Sequence, residues 1–184
     1  MFGLFHQFIL RFEAQNMLVR GAAGSERSAM IFGEYFPNPG IYGARAQAGS
    51  LVAPWQAALV EGAGTAMLVF VIFALVDRRN ASLPTKHFAP VLIGATITVL
   101  IAIFAPLTQA GWNPARDFGP RIVAYFAGWK SIAIPGPSHG FWIYIVGPLI
   151  GAPLGGLFYD RVIRPGLMAE IPAGTEGADG GEDG

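Results

Sequence analysis

The segment Leu107-Thr-Gln-Ala-Gly-Trp-Asn-Pro-Ala-Arg-Asp-Phe-Gly-Pro-Arg121 gathers the residue types of this sequence that could handle a small polar molecule. Asn113-Pro114 has the form of a helix start. Asn caps the first free N–H groups, and Pro takes the first helical position, where its missing N–H is no loss. From there an apolar and aromatic run keeps helical spacing only as far as Phe126, which is too short to cross a bilayer. The stretch before it, Thr108–Trp112, reads as extended chain with exposed carbonyls. Such a helix start offers N–H donors and the positive end of a dipole, and the preceding stretch offers acceptors. This is hydrogen-bonding and electrostatic chemistry, with no catalytic group among the residues.

The elements that must position this segment are apolar. Of 184 residues, 53% are hydrophobic and 13% charged, against about 25% charged in ordinary soluble domains. The formal net charge is zero, so the composition does not ask for nucleic acid. There is no cysteine, and His6, His87 and His139 are scattered, so neither a thiolate metal site nor a cofactor is expected. Three stretches reach the ~20 residues needed to span about 30 Å of hydrocarbon: 54–76, 88–107 and 141–159. A chain of this length cannot wrap three such helices in its own fold, so it reads as an integral membrane protein. The first span carries a lone carboxylate, Glu61, and such groups face the protein interior with a partner. Gly147, Gly151 and Gly155 recur every four residues in the third span, a smooth face suited to close helix packing.

Residues 1–11 read as the remnant of a preceding helix, 12–53 as a polar, Gly-rich loop, and 165–184 as an acidic, disordered tail. The basic residues Arg78, Arg79, Lys86, Arg161 and Arg164 lie at two span ends that face the same side. The positive-inside bias places those ends, and the tail, in the cytoplasm, and the 12–53 loop outside. Segment 108–126 lies between two spans and is therefore expected to be re-entrant, dipping into the membrane and returning. Backbone of that kind survives at membrane depth only where it lines a water-filled path.

Asn113-Pro114-Ala115-Arg116 resembles the second Asn-Pro-Ala motif of the aquaporin and glycerol-facilitator (major intrinsic protein) family. The resemblance takes in Pro106-Leu107-Thr108 before it, and Asp117, Gly119-Pro120 and Arg121 after it. It also takes in Gly33–Pro39 in the loop, Leu59-Val60-Glu61 in the first span and Gly147-Pro148 in the third, covering roughly residues 12 to 164. It implies an all-α membrane fold, an aquaporin-like half with three transmembrane helices and one re-entrant half-helix. It implies passive flow of water and glycerol-like neutral solutes through the plasma or inner membrane, in a homotetramer.

By that resemblance Asn113 offers its amide to the passing molecule, and carbonyls of the Thr108–Gly111 stretch, those of Ala110 and Gly111 included, accept its protons. Arg116 stands at the constriction with Ile101 and Ala110, and Trp112 shapes the passage. Pro114, Ala115, Asp117 and Glu61 support this lining; Glu61 accepts hydrogen bonds from the re-entrant backbone. Asp117 and Arg121 resemble glycerol-conducting members, which carry Pro at Tyr144. Ile101 and Ala110 look like the branch passing polyols and metalloid acids. Channels of the family join two inverted repeats at the midplane, and this sequence matches the second alone. The first is expected elsewhere in a six-span facilitator of which this is a fragment, or on a partner chain; the alternative is a nonconducting subunit that associates with other membrane proteins. A lone half-helix facing lipid would cost several kcal/mol per unsatisfied group.

Overall fold

A computed structural model describes residues 2–43, 51–80 and 88–169. The chain is all-α: among the described residues every regular element is helical. Three short elements open it, α1 (Phe2–Gln15), α2 (Glu26–Ala29) and α3 (Pro39–Tyr42). They are followed by α4 (Pro54–Val76), α5 (Ala89–Thr108), α6 (Pro114–Ala124), α7 (Ile143–Phe158) and α8 (Arg164–Ala169). Among the described residues three apolar segments are long enough to cross a membrane: α4, α5 and a 31-residue segment, Pro137–Leu167, centred on α7. Their starts follow local rules. Pro54 sits in the first turn of α4 and Pro90 in that of α5, where no N–H is needed. The Ala53 N–H donates to Gln56 Oε1 at 2.8 Å, closing the α4 entry.

The α4–α7 pair is the backbone of the fold, and glycine makes it. A Cβ on Gly147 would stand 2.9 Å from Glu61 Cβ and 3.0 Å from the Ala58 carbonyl. At Gly151 and Gly155 it would run into the carbonyls of Gly62 and Ala66. The two backbones therefore approach as closely as small residues permit. Gly151→Leu is expected to force the pair apart and cost at least about 1–3 kcal/mol, the usual price of overpacking. Thermal unfolding in detergent checks this, with Gly94→Leu as the silent control because nothing lies within 4 Å of a Cβ there.

The 12–53 region differs from the aqueous loop expected of it. Helix α1 continues to Gln15, and Phe32, Glu34, Tyr35 and Phe36 are all buried. Ile9, Phe32 and Tyr35 form a core with Ala124, the last residue of α6, and with Trp129 and Ala133 beyond it. A polar network backs it. Arg20 Nη2 donates to Glu13 Oε2 at 2.7 Å, and Ser28 Oγ donates to Glu13 Oε1 at 2.9 Å. Arg20 also stacks over Trp129, 4.2 Å from its ring centre. Polar composition suggested water, but these polar groups satisfy one another.

Two further boundaries move. The Thr108–Trp112 stretch is not extended. Thr108 is the last residue of α5, and Gln109, Ala110 and Trp112 have left-handed φ of 64°, 60° and 38°. The Gln109 N–H still reaches back to the Ala105 carbonyl, which turns the chain sharply at the helix end. The expected tail region begins with α8, so residues 165–169 continue a helix; its remainder lies outside the described residues.

Candidate functional site

The site is built on the turn 109–113 and the start of α6. Asn113 caps that helix: its Oδ1 accepts from the N–H groups of Ala115 at 3.1 Å and Arg116 at 3.2 Å. With the oxygen committed, the amide Nδ2 is the free donor of that side chain among the described residues. Three non-glycine residues in left-handed backbone within four positions would be costly alone, at about 1–3 kcal/mol each. The turn is therefore held from outside.

Glu61 holds it. Its carboxylate is fully buried on α4 and accepts from Gly111 N at 3.1 Å and Trp112 N at 2.8 Å, one oxygen to each. A Cβ on Gly111 would meet Tyr144 Cδ1 at 2.6 Å, so only glycine lets the turn lie this close to α7. With both N–H groups drawn towards Glu61, the backbone of the turn is set in one orientation.

On the other side the buried segment 34–38 is fastened to the same turn. Tyr35 N–H donates to Gln109 Oε1 at 2.8 Å. Asn38 takes up the last-turn carbonyls of α5, with its N–H on Leu107 O at 3.0 Å and its Nδ2 on Ala105 O at 2.8 Å. Glu34 N–H donates to Asp117 Oδ1 at 2.8 Å. Asp117 and Arg121, one turn apart on α6, form a buried pair at 2.7 Å. Arg121 reaches on to the Ala133 carbonyl at 2.9 Å and to the Glu34 carbonyl. Its guanidinium lies over Tyr35 at 4.7 Å and Tyr144 at 5.4 Å.

Arg116 is placed between two kinds of acceptor. Its Nη1 lies 2.5 Å from Glu34 Oε1 and 3.5 Å from each of the Ala110 and Gly111 carbonyls. Burial, joined by the Asp117 carboxylate, pushes the Glu34 carboxyl up to about 8, against the opposing pull of Arg116 and Arg121. Burial likewise raises the Tyr35 phenol, while Arg121 lowers it.

The residues read as a lining divide into two sets. Asn113, Ala115, Arg116 and Ile101 are exposed, with Pro114 partly so. Thr108, Ala110, Gly111, Trp112, Asp117 and Glu61 are buried. The Trp112 ring packs edge-on against Phe104 at 6.0 Å and lies directly on Gly64, so its bulk belongs to the α4–α5 contact rather than to an open passage. Sequence reasoning missed Glu34, Tyr35 and Asn38 as parts of the site, and the role of the Gln109 side chain. The signal was present: Gly33–Pro39 interrupts a polar loop with aromatic and proline residues, a pattern suited to docking.

An apolar three-span fold with a clamped turn and a short helix between its second and third spans is the class of protein these observations define. The sequence model of the family described as Major intrinsic protein matches residues 13–159. The glycerol uptake facilitator protein of Escherichia coli (strain K12) is 37% identical over 172 residues, covering 92% of this chain and 57% of that protein. The propanediol uptake facilitator of Citrobacter freundii is 36% identical over 166 residues, covering 89% and 57%. Among solved structures, the aquaglyceroporin from Plasmodium falciparum superimposes with a TM-score of 0.70 at 21% identity, over 91% of this chain and 59% of that one. The chain belongs to the major intrinsic protein family, as an aquaporin-like half. It spans a little over half the length of the curated relatives it matches.

Proposed function

We propose that this chain supplies one half of the lining of a membrane channel for passive flow of glycerol-like neutral solutes and water. The observation that carries the reading is the Glu61-clamped turn, which sets the backbone beside an Asn113 amide and an Arg116 guanidinium on one exposed face. A neutral polyol can exchange its hydration shell for such donors and acceptors. A cation meets the positive helix end and Arg116. The relatives whose names specify glycerol and propanediol uptake support small polyols as the solute class, and boric or arsenious acid would present similar hydroxyls. A complementary repeat, joined to this one or on a second chain, completes the passage. A tetramer in the plasma membrane, with the acidic tail cytoplasmic, is the arrangement we infer.

Stopped-flow swelling of vesicles in a glycerol gradient tests the reading, with the chain alone and with a complementary first repeat. Flux above that of empty vesicles is expected in the second case. Asn113→Asp keeps an oxygen to cap α6 but removes the Nδ2 donor. Loss of one hydrogen bond worth about 0.5–1.5 kcal/mol lowers flux about two- to twelvefold. Absence of flux in both preparations, with the chain still bound to a partner channel, would favour the nonconducting subunit instead.

A further inference from the structure

Glu34 is placed with more care than a loop carboxylate requires. Its N–H is held by Asp117 Oδ1 at 2.8 Å and its carbonyl by Arg121 Nη2, so its backbone is fixed on both sides to α6. Its side chain is only 8% exposed, whereas that of Arg116 is 58% exposed. One carboxyl oxygen meets Arg116 Nη1; the other, Oε2, is buried with no hydrogen-bond partner in the structure. A buried carboxylate oxygen left without a donor is costly, and a proton there removes the charge and lets the carboxyl donate towards the Asp117 carboxylate.

We propose that Glu34 is the positioning residue for Arg116, and that gain or loss of its proton decides whether the guanidinium is held at the 34–38 segment or released towards the carbonyls of the turn. The proposal rests on the channel reading for its functional consequence, but the pairing itself does not. Arg116 already stands 3.5 Å from the Ala110 and Gly111 carbonyls, so release requires only a small swing.

The groups that face Glu34 are Asp117, Arg116 and Arg121 from α6, Tyr35 from its own segment and Tyr144 from α7. Two carboxylates thus oppose two guanidiniums. When Glu34 is ionised the cluster is balanced and Arg116 is tied to a fixed anion. When Glu34 is protonated the cluster carries one positive charge in excess, and the Arg116 donors are free for a solute hydroxyl. Burial and Asp117 push the titration up to about 8, so the change falls near neutral pH rather than in the usual carboxylate range. Released Arg116 should favour polyol flux, so flux falls as pH rises and Glu34 ionises.

Two readouts on the full chain in lipid nanodiscs and vesicles test this. Carboxyl 13C and guanidinium 15N NMR are followed between about pH 5 and 10, a window that spans both the usual and the raised carboxyl range. Glu34 is expected to titrate near 8, with the Arg116 signal moving in step. Arg116→Gln should move the Glu34 midpoint further up, because it removes the cation that holds it down. In vesicles carrying the complementary repeat, wild-type glycerol flux should fall about threefold or more across the same range, equivalent to a barrier change of about 0.65 kcal/mol. Glu34→Gln, which mimics the protonated carboxyl, should remain at the low-pH level throughout. Titration of Glu34 in the usual carboxylate range with an unmoved Arg116 overturns the proposal. So does conducting Glu34→Gln with the wild-type pH profile. A pair that titrates in step, in vesicles that never conduct, overturns the channel reading and leaves the pairing intact.

Discussion

Glu61→Ala is expected to destabilise the chain by about 2–6 kcal/mol, since burial leaves each of two N–H donors short of a partner at about 1–3 kcal/mol. The donors are Gly111 N and Trp112 N, both of which now rest on the one carboxylate. Against a total stability of about 5–15 kcal/mol this is a large fraction. The left-handed backbone at Ala110 and Trp112 loses its restraint at the same time. Two measurements separate the local effect from general unfolding. Amide hydrogen exchange at Gly111 and Trp112 should accelerate far more than at positions in the middle of α4. The thermal midpoint in detergent should fall together with glycerol flux. Glu61→Gln should lie between, because its amide presents one good acceptor to two donors. Unchanged exchange at Gly111 and Trp112 in the alanine variant would show that the turn holds itself.

Arg121→Ala is the second large effect, about 3–5 kcal/mol, because it strands a partner charge in a buried site. The charge is Asp117, which like Arg121 is almost wholly buried. The same substitution removes the donors to the Ala133 and Glu34 carbonyls and the cation stacked on Tyr35 and Tyr144. Segment 34–38 then loses one of its fastenings to α6, the one to the Glu34 carbonyl, while Asp117 still accepts from Glu34 N–H and Asn38 still holds α5. Limited proteolysis should therefore open the chain near Glu34 before α4 and α7 separate. Arg121→Lys should recover only part of the loss, since an ammonium keeps the charge but not the planar fork. Replacing Asp117 and Arg121 together should cost less than the sum of the single changes, the sign of a coupled pair. Additive costs would mean that the pair carries no interaction of its own.

The legibility of the site in the sequence divides along similar lines. Asn113 and Pro114 announce a helix start by their own chemistry, and α6 begins there. The Gly147, Gly151 and Gly155 spacing identified a packing face without identifying its partner, which is α4. Glu61 stood out because an ionisable group in an apolar run needs company; that its company is a pair of backbone amides fifty residues on is a tertiary fact. Glu34 gave no such signal. In a loop of mixed charge one more carboxylate looks solvated, and its burial follows from the docking of the aromatic residues beside it.

What composition and periodicity decide here is the set of apolar spans and the place where one short helix interrupts them, because both depend on neighbours within a few turns. The left-handed turn at 109–112, the carboxylate that clamps it, and the meeting of Glu34 with Arg116 depend on residues far apart in the chain. Those pairings are fixed only when α4, α5, α6 and the 34–38 segment close around one point. Burial there removes water as a competing partner, so the groups that pair find their mates within the protein, and the Glu34 oxygen that finds none stands out.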